Sequence, residues 1–515
     1  MIGKIHPALY ALFFFFLCSA SFSQETGVSE NSVLENAGFT EDAIFIINSF
    51  NFNITGFTRP FALIYRGELK TGEIIEGFSA LEEYIADKTQ ILFNERVLER
   101  VSIDYTIGER MEDGKYPVDL VINVKDTWNI VAIPRPKYSS NTGFDLTLKA
   151  RDYNFLGTMS PLRLDIGYEY DEEGHNTFLL MLDSNIPFLL FGLNWNLKFV
   201  NFFNYRPDTE QPFYYKNTTG LSVELPVKFT TVTIGFDEDF FVNEENSDEN
   251  KPLYGNFQDG FYMSSVPYIS WKIPTGLYAG NYGEVVYTPG LSARFYHEFP
   301  QWPLDEIRKG SVLTFKHNLG FNRVDWIGNF LKGFDVSVNN SFNFNFFNSG
   351  IDVSPWSSYL NVSGKGFFII TDFFGISSRF IYRHWFLHEY GYTNAGDVLR
   401  GIMDKDISAD YMFSLNLDFP VRVLRFSPSV WFKKPKLRIF NFDLHLSPFV
   451  DTAFYQEHIT TDNSDPAFLA TGGMEIIVFP EFFRSLFLRV SLGFNLSDIS
   501  NKNNIELFIG TDFHY

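Results

Sequence analysis

The side chains in this sequence best placed to act together are one arginine and two aspartates. Arg400 precedes Gly401 in a long connection, Arg383 to Ser408, that also holds Gly391 and Gly396. Asp418 and Asp451 follow on the next two stretches that alternate as strands do. A guanidinium presents its donors as a flat fork, and carboxylates placed around it fix geometry as well as charge. If the connection folds inward, each acid loses water and gains a partner. That chemistry is anchoring, worth about 1–3 kcal/mol in a partly wet interior. A solvated loop arginine is the alternative reading.

Other combinations carry less. His384 and His388, with Glu389, have a spacing that suits a metal on a helix. They sit beside Trp385 and Phe386 at a strand end, which favours an aromatic girdle, so no metal site is expected. There is no Gly-rich phosphate loop, and no Ser/His/acid set stands out. No catalytic residue, no cofactor and no enzymatic activity are therefore expected. The formal net charge of −21 argues against binding nucleic acid or an anionic surface as the main business of the chain.

The acids need strands to hold them. The chain has 515 residues with 60 Phe and 26 Tyr, yet its mean hydropathy is only −0.07. No stretch of the mature chain approaches the ~20 continuous apolar residues of a spanning helix. Two-faced strands reconcile many aromatics with neutral hydropathy. From Phe144 onward apolar and polar residues alternate, in runs separated by Gly, Pro, Asn and Asp clusters. We count seventeen such runs. Bacterial single-chain barrels use an even number, which leads to an expected sixteen. The final run, Ile505 to Tyr515, places Ile505, Leu507, Ile509, Thr511, Phe513 and Tyr515 on one face. An oily outer face on a terminal strand suits barrel closure in a membrane better than an edge in water.

The front of the chain differs. Lys4, the run Ala8 to Leu17 and small residues through Ser23 read as a secretory signal, 1–23. Its removal takes away Cys18, the single cysteine. A polar lead covers 24–43. Residues 44–128 read as one α+β domain of order β-α-α-β-β, with Ser79 as a helix N-cap. Residues 129–142, with Pro134-Arg135-Pro136, read as a linker, and 143–515 as the barrel.

Five pieces of the α+β region resemble a POTRA domain, the polypeptide-transport-associated module. They are Asn53-Ile54-Thr55-Gly56, Arg66-Gly67-Glu68-Leu69 with Gly72-Glu73, Leu92-Phe93-Asn94, Val118-Asp119-Leu120-Val121-Ile122 and Val124-Lys125-Asp126-Thr127-Trp128. The rest resembles the bacterial surface antigen superfamily, that of the outer-membrane protein assembly factor BamA. Asp152-Tyr153-Asn154-Phe155-Leu156-Gly157-Thr158 is similar to its turn after the first barrel strand. Leu399-Arg400-Gly401-Ile402 resembles its sixth-loop motif, and Leu417-Asp418-Phe419-Pro420 and Phe449-Val450-Asp451 its two acidic positions. Gly510, Phe513 and Tyr515 match its C-terminal β-signal. Ile402 replaces the usual aromatic and Phe508 a usual polar residue.

The resemblance implies a mainly β fold, a 16-stranded transmembrane outer-membrane β-barrel preceded by one α+β POTRA domain in the periplasm. It implies an assembly or insertion factor with a lateral gate between the last strand and a first strand carrying Phe144, Leu146 and Leu148. Gly510 would weaken that seam. The partners implied are outer-membrane lipids, nascent outer-membrane proteins, and periplasmic chaperones or accessory lipoproteins. A secretion pore for a dedicated partner protein and a passive diffusion porin are the alternatives.

Overall fold

Alternation of apolar side chains builds both parts of the chain. The computed structural model describes residues 39, 41–139, 143–170, 174–207, 213–242, 261–280, 282–299, 310–346, 355–386, 393–394, 398–402, 407–457, 466–498 and 505–510. The expected signal segment 1–23, His388, Glu389, Phe513 and Tyr515 lie outside the described residues.

The N-terminal unit runs β1 (Ile44–Thr55), α1 (Pro60–Arg66), β2 (Ile74–Glu76), α2 (Phe78–Asn94), β3 (Leu98–Ile107) and β4 (Tyr116–Asp126). Its sheet order is β2-β1-β4-β3, with β1 and β4 parallel. Val118, Leu120, Ile122 and Val124 alternate along β4 into a core shared with Leu81, Ile85 and Leu92 of α2. Two expectations are corrected. The short β2 is absent from the expected order β-α-α-β-β, because three residues are too few for alternation to register. Ser79 lies inside α2 rather than capping it. Gly77 holds the cap position at φ 95°, and the Ser79 hydroxyl donates to Glu41.

The remaining strands close into a barrel of twenty segments. Ser408–Asp418 and Val421–Phe426 are one crossing broken at Phe419-Pro420, since both pair with Phe442–Glu457. The two-residue pairing at Thr393–Asn394 belongs to the loop above. The wall therefore makes eighteen crossings among the described residues, not sixteen. Each of the seventeen runs read from sequence overlaps a strand, so none was surplus; one strand was missing. It is Ile130–Ser139, the stretch taken as a linker.

That strand is the first crossing, and closure joins it to Ile505–Gly510. The strand expected to form the gate, with Phe144, Leu146 and Leu148, is the second crossing, Gly143–Asp152. All three of those side chains face outward and are exposed. Two prolines disguised the true first strand. Proline has no N–H and is confined to edges and irregular positions of sheets. Pro134 pairs with Leu148 and Pro136 with Leu146 in a continuous antiparallel ladder. Residues that cannot donate occupy the non-hydrogen-bonded pairs of such a ladder. The positions where their N–H groups would be thus face the last strand.

One rim of the barrel contacts the N-terminal unit; we call it the near rim. The connection carrying Arg400 is the seventh on the far rim, not the sixth, because thirteen crossings precede it. Outward positions such as Leu180, Leu221, Ile234, Phe236, Phe315 and Ile476 are exposed and apolar. Inward positions such as Thr147, Thr218, Asp239, Ser264 and Asn416 are polar and buried. No described helix is long and apolar enough to cross a membrane.

Neighbouring strands lie about 4.8 Å apart and a disulfide spans Cα atoms up to about 7 Å apart. A cysteine at Arg135 is therefore expected to cross-link to one at Thr147, its ladder partner, and to one of those placed at 508, 509 or 510. Cysteine at Thr147 paired with any of the last three should not cross-link. Linkage of 147 but not 135 to the last strand, read by gel shift under oxidation, would restore the Gly143–Asp152 strand as the closing edge.

Candidate functional site

The tip of the long far-rim connection, Val398 to Ile402, is folded into the barrel. Val398, Leu399 and Ile402 are buried with Ile381, Met412, Ala453 and Tyr455. Ile402, where the family pattern has an aromatic, fills an apolar place here. Asn416 donates through Nδ2 to the Val398 carbonyl at 2.7 Å.

Arg400 sits at the centre with every donor used. Its Nε and Nη2 donate to Asp451 at 2.8 and 2.6 Å. Its Nη1 and Nη2 donate to Asp418 at 2.5 and 3.2 Å. The second Nη1 donor faces Glu475 Oε1 at 3.1 Å. The backbone N–H of Arg400 adds a bond to Asp451 at 3.0 Å. These account for all five guanidinium N–H groups. The flat cation also lies 3.7 Å over the Phe449 ring, a stacking that favours Arg over Lys. The four charged side chains are 2%, 1%, 0% and 1% exposed for Arg400, Asp418, Asp451 and Glu475. The site is almost fully buried, unlike the more open lumen expected from sequence.

Strand register explains the convergence. Asp418 faces Phe449 across one ladder, and Asn416 faces Asp451. Phe449 faces Gly473 across the next, and Gly473 faces Gly493. Those inward glycines leave a flat place on the wall. A Cβ on Gly493 would lie 2.8 Å from the Gly401 nitrogen, and one on Gly401 would lie 2.9 Å from the Phe494 nitrogen. Gly401 also holds φ at +88°, a conformation that L side chains rarely adopt. Backbone thus packs on backbone, and the Gly401 N–H donates to Glu506 Oε2 at 2.9 Å. Glu506 is on the last crossing, so one dipeptide ties the loop both to the wall and to the closing strand.

Glu475, Arg489 and Glu506 were not singled out from sequence. Arg489 donates to Glu475 Oε1 at 2.7 Å and completes the charge cluster. A signal existed: Glu475 is the only charged residue in Ala467–Pro480, and it falls on the inward phase. At the seam Phe508 lies between two guanidinium groups, Arg135 at 4.6 Å and Arg489 at 4.5 Å. Arg135 Nε donates to the Ile509 carbonyl at 3.0 Å. A side chain thus bonds across the seam beside two prolines that cannot. Gly510 makes room for Phe508, whose ring would meet any Cβ there.

Three sequence pieces far apart in the chain meet at a second place, on the near rim. Asp126 accepts from the backbone N–H of Phe57 at 2.6 Å and of Thr58 at 3.0 Å. It also accepts from the Thr58 hydroxyl at 2.7 Å. Asn154, from the turn after the second crossing, donates to the Thr58 hydroxyl at 2.8 Å, and Arg59 N–H donates to the Gly157 carbonyl at 2.9 Å. Glu99 adds a further tie, accepting from Arg438 at 2.6 Å. Burial acts to raise the Glu99 carboxyl, but hydrogen bonds from Arg438 and Lys125 outweigh it and hold it below the usual range. His384, considered above as a metal ligand, stacks on Phe386 at 3.7 Å and bonds the Tyr382 hydroxyl.

No protein-family model and no curated protein matches the chain. Among solved structures it is similar to CdiB from Acinetobacter baumannii, at 13% identity over 90% of this chain and 73% of that one, TM-score 0.46. It is also similar to CdiB from Escherichia coli, at 10% identity over the whole of both chains, TM-score 0.42. A third is BamA from Haemophilus ducreyi lacking POTRA domains 1-3, at 13% identity over 90% of this chain and 83% of that one, TM-score 0.39.

Removing one partner of a buried, hydrogen-bonded charge group costs about 3–5 kcal/mol. Arg400→Ala should therefore release the loop tip, raising proteolysis within 387–407 on intact barrels. Arg400→Lys should not restore it, since an ammonium has three donors where the guanidinium uses five, and it cannot lie flat on Phe449. Because members of one network couple, Arg400→Ala/Asp451→Ala should be little worse than either change alone. Additive losses, or protection retained in Arg400→Ala, would show that the loop is held by something else.

Proposed function

We propose that the chain is an outer-membrane β-barrel that assists insertion of other barrel proteins. Its N-terminal unit acts as a periplasmic POTRA-type module, and the seam between Ile130–Ser139 and Ile505–Gly510 serves as a lateral gate. Membrane residence is supported by the outward apolar positions, since a closed barrel pairs every backbone group and needs no further cover in lipid. On this reading the near rim is periplasmic, and the seventh loop enters the lumen from the exterior side.

The seam carries the insertion reading. Two proline positions face the last strand without donors. An edge with missing partners can exchange its neighbour for an incoming strand by backbone pairing, the β-augmentation mode. No bond is made or broken covalently, so no cofactor enters. A seated loop tip disfavours a passive porin.

A secretion pore is the second reading, and one observation favours it. A chamber of about 770 Å³ opens within the wall, lined by Lys198, Lys216, Asp237, Asp239, Arg294 and Lys316 among others. Such a surface suits a polar passenger.

Depletion of the protein separates the two. Insertion predicts a fall in the abundance of several other barrels, and the same fall when a disulfide between position 135 and the last strand locks the seam, reversed by reductant. A secretion pore predicts unchanged barrels and loss of one partner from the medium, with the locked seam remaining active.

A further inference from the structure

The second half of the broken crossing and the connection after it are unlike the rest of the chain. Residues 419–442 hold Arg422, Arg425, Lys433, Lys434, Lys436 and Arg438, and not one Asp or Glu, in a protein of formal charge −21. Within it Val430, Trp431, Phe432, Ile439 and Phe440 are all exposed. Exposed apolar patches of this kind mark contact surfaces.

Its position says what it meets. Phe426 faces Phe442 in the ladder, directly after Leu424 and Leu444, and Leu424 is exposed on the outward face. Trp431 packs edge-on against Phe426 at 5.1 Å. The aromatic cluster therefore continues the outward, lipid-side column of the barrel past its near rim. Two of the cations are occupied: Arg425 pairs with Asp443, and Arg438 with Glu99 and Glu481. Lys433, Lys434 and Lys436 are exposed and make no ion pair among the described residues.

The element is held in shape. Asn441, 2% exposed, donates to Ser429 and to Glu481, both at 2.6 Å, and accepts from the Ser429 N–H at 3.2 Å. Its carbonyl accepts from the Glu481 N–H at 2.9 Å. Little ordering entropy is left to lose when a surface docks on it.

We propose that residues 427–440 form a foot that grips anionic phospholipid headgroups of the periplasmic leaflet, with Trp431, Phe432 and Phe440 at the interface and Lys433, Lys434 and Lys436 on the phosphates. Aromatic rings favour the headgroup level, and basic side chains beside an apolar face favour anionic lipid over neutral lipid. A second protein with an acidic face would need only the lysines, and would leave the alignment of Trp431 with the lipid-side column without a role.

The inference rests on the barrel spanning a membrane, and the test separates the two. The full chain is reconstituted in phosphatidylcholine containing a minor share of phosphatidylglycerol, with brominated acyl chains on one lipid or the other. The difference in fluorescence quenching between the native chain and Trp431→Phe isolates this one indole among eight. Bromine on phosphatidylglycerol should quench Trp431 well beyond that lipid's share of the bilayer. Lys433→Gln/Lys434→Gln/Lys436→Gln should lower that preference by on the order of tenfold, since each basic residue adds to attraction at an anionic surface. Quenching in proportion to bulk composition, quenching unchanged in the triple variant, or a Trp431 reached by neither lipid would each overturn the proposal. In any of those outcomes, heat-modifiable migration of the reconstituted barrel would leave the spanning reading intact.

Discussion

The five N–H donors of Arg400, shared among Asp418, Asp451 and Glu475, are the constraint on which the lumen is built. Three carboxylates from three successive crossings would repel one another in a buried site. One guanidinium, stacked on Phe449, makes their proximity tolerable, and Arg489 supplies a second cation at Glu475. Neither side is stable without the other: the acids are buried only because the loop folds in, and the loop folds in because the acids are there. A buried ion group of this kind is weak evidence for added stability but specifies one arrangement, because every alternative leaves a charge unpaired.

That arrangement reaches the seam through short links. Gly401 lies flat on the wall at Gly493 and its N–H engages Glu506, two residues from Phe508. Phe508 in turn is held by Arg489, which belongs to the charge cluster, and by Arg135 of the first crossing. The loop, the last strand and the first strand thus share partners. On the near rim, Asp126, Thr58 and Asn154 fasten the N-terminal unit to the turn beside the same first two crossings. Each link is a few hydrogen bonds, a scale on which rearrangement is feasible without unfolding the wall.

Much of this was legible in the sequence, for physical reasons. Alternation marked seventeen of the eighteen crossings, and the acids at 418 and 451 stood out by their order, one on each of the two strands that follow the loop with Arg400 and Gly401. Ile130–Ser139 was hidden because its prolines mimic a linker, and its role at a seam is what permits them. That omission displaced the gate by one strand and turned an odd count into sixteen instead of eighteen. Glu475 and Glu506 went unseen because their relevance depends on register across ladders, which pairing sets and a single strand does not display. The junction at Asp126 was in view only as separate pieces; their meeting is a property of the folded chain.

The central claim is that the loop tip and the closing strand are one unit. Hydrogen exchange of the Gly401 amide, followed in bilayer-embedded protein, tests it most directly. The amide is expected to exchange slowly in the native chain, and in Arg400→Ala to accelerate together with the amides of Ile505–Gly510. Fast exchange at Gly401 in the native protein, or acceleration at Gly401 with the last strand unchanged, would contradict it.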